Sequence, residues 1–162
     1  MSDEKPVWIN IGCLDNFKEG FINVDKIAFS EAEAERYNAR TMDLNFPWLF
    51  ADSSADYILA LDIIEHLHDK TFTMNEAWRV LKPGGILEIL VPVTDGPGAF
   101  QDPTHHTYWN RNSFFYYEKG NPHRVRFGKA YGIKAEFEIV KEEKAKIDND
   151  IPMLHIILRA VK

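Results

Sequence analysis

The sequence predicts an α/β fold built on an open, mostly parallel sheet with one antiparallel hairpin at its edge, and three stretches carry that expectation. Between Asp56 and Pro92 an apolar run, Tyr57-Ile58-Leu59-Ala60-Leu61, precedes a helical segment and a second run, Ile86-Leu87-Glu88-Ile89-Leu90-Val91. That is a strand, helix, strand unit. Near the start, Val7–Ile11 and Phe21–Asp25 read as two more strands, the second ending in a carboxylate. Near the end, Glu136–Lys141 alternates polar and apolar residues, Asn149–Pro152 turns the chain, and Met153–Val161 returns, a spacing that favours an antiparallel hairpin.

Each element has a local cause. In the central unit Met74, Ala77, Trp78 and Leu81 recur at i, i+3, i+4 and i+7, one apolar stripe of a helix. Asp69 supplies its cap, and Pro83-Gly84-Gly85 ends it. Only Cys13–Gly20 separates the first two strands, whereas a parallel crossover takes about a dozen residues with its helix. The first helix is therefore reduced or absent, and the sheet face beside it thinly covered or covered by a partner. Ser30 caps a short acidic helix to Tyr37; Ala39–Leu44 is a weakly signalled third strand. Asn45–Ser54 is a loop with a helical turn at Pro47–Phe50. The glycines and prolines of Thr94–His106 exclude a regular element, so this is a long loop leaving the carboxyl edge of the sheet. Asn112–Tyr117 starts a short helix, Gly120-Asn121-Pro122 is a turn, and the basic residues from His123 to Lys134 read as a solvated loop. With no repeat and no dividing linker, residues 1–162 form one domain, in which residues 93–136 are a loop-rich region on the ligand side.

Composition narrows the function classes. The chain of 162 residues is 45% hydrophobic, with no apolar run near the ~20 residues that cross a bilayer. Its start, Met1–Pro6, lacks the basic and apolar parts of a signal peptide, which implies a cytoplasmic protein. A single cysteine, Cys13, excludes an internal disulfide. A net charge of -6 argues against a broad nucleic-acid face. Aromatics crowd Tyr108–Tyr117; with a thinly covered sheet they make a homodimer an expected arrangement.

In a parallel sheet, ligands sit at the carboxyl ends of the strands. Gly12 ends the first strand, where close backbone approach needs a residue without Cβ, or where a tight turn does. Asp25 ends the second, as a ribose-binding carboxylate or a strand-end turn residue. Asp62, Glu65 and His66 follow the fourth. His66, His105 and His106 are candidate bases, with Asp102 or Glu65 as orienting partner. For His66 a bond to the neighbouring loop is the preferred reading; for His105 anchor and base are balanced; His106 reads as exposed. Neither His66-x-His68-Asp69 nor Asp102-x-x-His105-His106 has a recognised metal spacing, so no metal is expected.

Taken in order, Ile9-Asn10-Ile11-Gly12-Cys13, Gly20–Asp25, Asp43-Leu44-Asn45, Asp56-Tyr57-Ile58, Ile64-Glu65-His66-Leu67, Glu76–Gly85 and Asp102-Pro103-Thr104-His105 resemble the class I S-adenosylmethionine-dependent methyltransferases, more narrowly the small type-11-like members. The resemblance implies a Rossmann-like sheet of seven strands with one antiparallel, and S-adenosyl-L-methionine as cofactor. By position, Gly12, Cys13 and Leu14 would face its methionine portion, Asp25 its ribose, and Asp43 and Leu44 its adenine. Leu61, Asp62 and Ile63 would close the site, with His105, His66 and Asp102 on the side of an O or N acceptor. The acceptor is a small molecule or a group on a macromolecule. Leu14 stands where the family usually has the second glycine of Gly-x-Gly; a Cβ on a left-handed backbone there costs about 1–2 kcal/mol. Two alternatives are therefore carried: a catalytically weak or inactive binding or assembly module of the same fold, and a nicotinamide-dependent oxidoreductase, ranked last for want of Gly-x-Gly-x-x-Gly.

Overall fold

Strand β1 is Trp8–Ile11, β2 Ile22–Asp25, β3 Ala39–Thr41, β4 Ala55–Leu61, β5 Leu81–Pro92, β6 Phe137–Ile147 and β7 Ile151–Ala160 in the computed structural model, which describes residues 5–147 and 150–162. They form one sheet in the order β3-β2-β1-β4-β5-β7-β6. β1 through β5 pair in parallel, and β7 runs antiparallel to both β5 and β6, which is the expected edge hairpin. The turn expected at Asn149–Pro152 begins outside the described residues, as does the chain start before Lys5.

The strand order reverses between β1 and β4, so loops leaving these two strands diverge and open a crevice at their carboxyl ends. One face of the sheet presents Ile9, Ile11, Ile58, Ala60, Leu87, Ile89 and Ile156, all buried in one core with Met74, Ala77 and Val80 of helix α2, Lys70–Val80. Asp69 caps α2 by accepting from Phe72 N at 2.9 Å. The helix stops at Val80 rather than at the glycines: Leu81 is already extended, and the residue before Pro83 is biased the same way. Pro83-Gly84-Gly85 becomes a register shift inside β5 instead of a loop.

Helix α2 also ties down the loops around it. Glu76 accepts from Trp48 N and pairs with Arg79, which donates to the Trp48 and Phe50 carbonyls. This fastens residues 45–54 without the helical turn expected at Pro47–Phe50. Asn75 holds Gly132, Lys134 and Ala135, and Trp78 Nε1 donates to Val161 O.

Between β1 and β2 no helix forms, as the short connection implied. A buried amide pair replaces it. Asn10 Nδ2 donates to Asn23 Oδ1 at 2.9 Å and to Asn16 O at 3.0 Å. Asn23 Oδ1 also accepts from Lys18 N, and its Nδ2 donates to Lys18 O and Tyr37 O. On the sheet face so exposed, Trp8 is 41% accessible and meets Phe21 and Tyr57 at ring distances of 5.4 and 6.4 Å.

Four local expectations change. Helix α1, Glu31–Tyr37, has the Ser30 capping box, but β3 ends at Thr41, short of Leu44. The loop after β5 contains one helical turn, α3, Gly98–Gln101. Arg111–Tyr116 forms a 3-10 turn capped by Asn110, starting one residue early. The basic stretch is not all loop: Pro122–Phe127 is helix α4, with Asn121 as cap and proline, needing no N–H, in the first turn.

Asn23 is fully buried and serves at least four backbone or amide partners, so Asn23→Ala should lower unfolding free energy by about 3 kcal/mol in urea titrations, given ~1–3 kcal/mol per buried group left unpaired. His155 gives a pH test. Burial opposes its charge, but hydrogen bonds to Glu143 and Glu88 outweigh burial and raise its pKa. A raised folded-state pKa stabilises below the ordinary histidine range and is lost as pH rises through the folded value. The stability advantage of wild type over His155→Gln, measured in urea, should therefore be larger at pH about 6 than at pH about 9.

Candidate functional site

The crevice at the strand-order reversal is a cleft of about 390 Å³. Its floor is the turn after β1. Gly12 N and Cys13 N both donate to Val24 O, at 2.8 and 3.1 Å, which draws the turn against the end of β2. Gly12 has φ +67, and a Cβ built there would lie 2.3–2.6 Å from Ile63 side-chain carbons. Only glycine fits on both counts. Leu14 also takes a left-handed backbone, φ 45, with its side chain largely exposed in the cleft. Leu14 thus holds, with a Cβ, a backbone conformation that favours glycine.

Asp25 closes the second side. Its Oδ2 accepts from Leu14 N at 2.9 Å and its Oδ1 from Ile27 N at 3.2 Å, so the carboxylate is oriented by backbone. A carboxylate has about four acceptor positions, and two remain. Across the cleft Asp43 Oδ1 accepts from Asn45 N and Nδ2, and Asn45 Oδ1 accepts from His68 N. Gly12, Leu14, Asp25, Asp43, Leu44, Asp62, Ile63 and His66 all line this one cleft. Cys13 and Leu61 do not. The Cys13 side chain is buried, and burial pushes its thiol up to about 11; Leu61 is engaged in the sheet opposite Leu90. Lys26 and Met42 join the lining without a sequence signal that marked them, and Thr104 joins it from the Asp102–His105 stretch.

A second, smaller hollow of about 200 Å³ adjoins the first and shares Asp62 and His66 with it. Here the 3-10 turn Ile64–His66 meets the loop from Asp102. His106 N and Thr107 N donate to Glu65 O at 2.8 and 2.9 Å, and Thr107 Oγ1 donates to Ile64 O. Trp109 Nε1 donates to Thr107 Oγ1, securing that hydroxyl from the core. These bonds bring His66 and His105 to a ring distance of 4.7 Å. Asp102 Oδ1 accepts from Thr104 N and Oγ1, and Thr104 Oγ1 lies 3.0 Å from His66 Nδ1. His66 does bond the neighbouring loop, as expected, and so is positioned by it. His105 Nδ1 lies 2.9 Å from Ala99 O, on the helical turn not foreseen. His106 instead pairs edge-on with His68, at 4.2 Å.

Glu65 lies beneath both histidines, 2% exposed; burial pushes its carboxyl up to about 8. Two spacings, each read along its own stretch, did not show that Glu65 and His66 converge with His105: one ligand atom of each lies within 4.8 Å of the others.

Comparison with known proteins fits this architecture. Residues 16–89 match the family model described as a methyltransferase domain. A probable S-adenosylmethionine-dependent methyltransferase of Mycolicibacterium smegmatis is 39% identical over 49 residues, 29% of this chain and 19% of that protein; the chain thus matches about a fifth of this curated relative's length. Among solved structures, a methyltransferase of Methanosarcina mazei superposes with a TM-score of 0.67 at 16% identity, covering 99% of this chain and 94% of its own. The 1,6-didemethyltoxoflavin-N1-methyltransferase of Burkholderia thailandensis, solved with that compound and S-adenosylhomocysteine, gives 0.64 at 14% identity, covering 98% and 72%. At such identities the likeness is one of fold, and the fold is the Rossmann-like methyltransferase sheet.

The turn yields a steric prediction. Gly12→Ala should cost about 2–3 kcal/mol, combining left-handed strain with overpacking against Ile63. Adding Ile63→Ala should remove the overpacking share and leave the strain, so a double-mutant cycle by urea denaturation should show a coupling of about 1 kcal/mol or more.

Proposed function

We infer that this chain, whose residues 16–89 match the methyltransferase-domain family model, binds S-adenosyl-L-methionine in the larger cleft and transfers its methyl group to an O or N acceptor held over the smaller hollow. The observation that carries this reading is Asp25, whose carboxylate is fixed by two backbone amides at the end of β2 and borders a cleft floored by a glycine that nothing larger could replace.

The donor set fits the cofactor. Asp25 has two acceptor positions left for a ribose diol. Met42, Leu44 and Leu67 give an apolar wall suited to adenine, with Asp43 and Asn45 as polar groups at its edge. Gly12 and the Leu14 backbone would take the methionine portion. When bound, the sulfonium supplies an electrophilic methyl group, so the protein's part is alignment and proton removal. Asp62 and His66, shared by both cavities, stand at the boundary a methyl group would cross. Asp102 and Thr104 position His66; Ala99 O positions His105; either imidazole could take a proton from an acceptor hydroxyl or ammonium. Residues 93–136 supply the acceptor side. The nicotinamide reading gains nothing, since the matched family model and the curated relative are methyltransferases.

A second reading, a module that binds weakly or without turnover, is favoured by one observation, the left-handed backbone forced on Leu14. Isothermal titration separates the two. S-adenosylmethionine should bind wild type with measurable heat, and Asp25→Ala should weaken it by at least about tenfold, ~1.4 kcal/mol. Leu14→Gly should tighten it, by up to about tenfold if the strain is released on binding. No heat or thermal shift at millimolar ligand would overturn both readings; binding without methylation of any acceptor would favour the second.

A further inference from the structure

We propose that Glu65, His66 and His105 form a binding site for a first-row divalent transition cation, set in the wall of the smaller hollow with coordination positions left for an oxygen ligand. The hydrogen bonds decide which atoms are available. Thr104 Oγ1 donates its only proton to Asp102 Oδ1, at 2.7 Å, so at 3.0 Å from His66 Nδ1 it can act only as acceptor. His66 Nδ1 therefore carries the proton, directed at Thr104 Oγ1 and at Thr104 O, 3.3 Å away. At His105 a backbone carbonyl, Ala99 O, sits 2.9 Å from Nδ1 and demands the same tautomer. In its neutral form each ring is thus left with a lone pair on Nε2, steadied through its other nitrogen as metal-bound histidines are.

The third group is Glu65, on the same turn as His66. It is 2% exposed, and its Oε2 is buried without a hydrogen-bond donor among the described residues. One ligand atom from each of the three lies within 4.8 Å of the others. Two imidazoles and a buried carboxyl group thus converge on one point. A shared cation satisfies all three, with any carboxyl proton given up to solvent as the metal binds. Two nitrogens and one carboxylate oxygen suit zinc, iron, cobalt or manganese better than magnesium, and leave at least one position open. The hollow beside the site gives that position room, and Asp62 and Asp102 on its rim add negative charge.

In use, the site deepens the proposed methyl transfer and rests on it: a cation there would hold an acceptor oxygen and lower its pKa, making the histidines ligands rather than free bases. Its existence does not rest on that reading, and the test reads metal alone. The full chain, stripped with chelator, should bind one equivalent of Co2+ with the visible bands of a low-symmetry nitrogen and oxygen site, and Zn2+ should displace it. Titration of Zn2+ and Mn2+ by calorimetry should give affinities at least about tenfold weaker in Glu65→Gln and in His105→Gln, while Mg2+ binds far more weakly in all. His68→Ala should leave affinity unchanged, because the His68–His106 pair lies outside the site. Absence of Co2+ bands in wild type, or binding lost with His68→Ala and retained in Glu65→Gln, would overturn the proposal. If S-adenosylmethionine fails to bind while Co2+ binds as described, the metal site stands and the methyl-transfer reading falls.

Discussion

The contact between Asn10 and Asn23 is the constraint on which this molecule's ligand face depends. Parallel strands need a long return, and a helix normally supplies it while satisfying its own backbone. Here the return is Gly12–Phe21, too short for that. The polar groups of an irregular connection must then be paired by something else. Two neighbouring strands each contribute one inward amide, and together these bind the carbonyls of Asn16, Lys18 and Tyr37 and the amide of Lys18. Because that network fixes the far side of the connection, its near side can fold tightly enough for Gly12 and Cys13 to share the Val24 carbonyl and for Leu14 to meet Asp25. The cleft is thus shaped by buried polar order next to the sheet, in a place where an apolar helix interface would be the usual solution.

A division of labour follows along the sheet. The β1 and β2 side presents backbone and one carboxylate, with a steeply constrained turn. The β4 and β5 side presents imidazoles and carboxylates on two loops stitched together through Glu65 O, Thr107 and Trp109. Helix α2 serves neither directly. Its polar residues Asn75, Glu76 and Arg79 hold loops in place, so this stretch acts through architecture.

How much of this was legible in the sequence depended on the range of the interactions. The strands, the Asp69 cap, the missing first helix and the edge hairpin are local or nearest-neighbour consequences of residue pattern, and they appear in the structure. Glycine-rich stretches were read too simply: Pro83-Gly84-Gly85 joined a strand, and Gly98–Gln101 formed a helical turn between prolines. The cleft residues were reachable because strand ends in a parallel sheet converge by topology. The burial of the Cys13 side chain beneath the turn depends on how that turn folds, which no residue pattern gives. The meeting of Glu65 and His66 with His105 was not legible at all. It depends on which way two loops fold back, and that is decided by Thr107 and Trp109, residues whose chemistry gives no hint of it.

The close packing of Ile63 over Gly12 has a consequence for how such a chain can change over evolutionary time. Two positions distant in the chain occupy a single volume, so neither drifts freely: a methyl gained at one demands carbon lost at the other, and the intermediate with both is handicapped. Leu14, whose side chain is largely exposed, has no such partner, so its size can change without a matching change elsewhere.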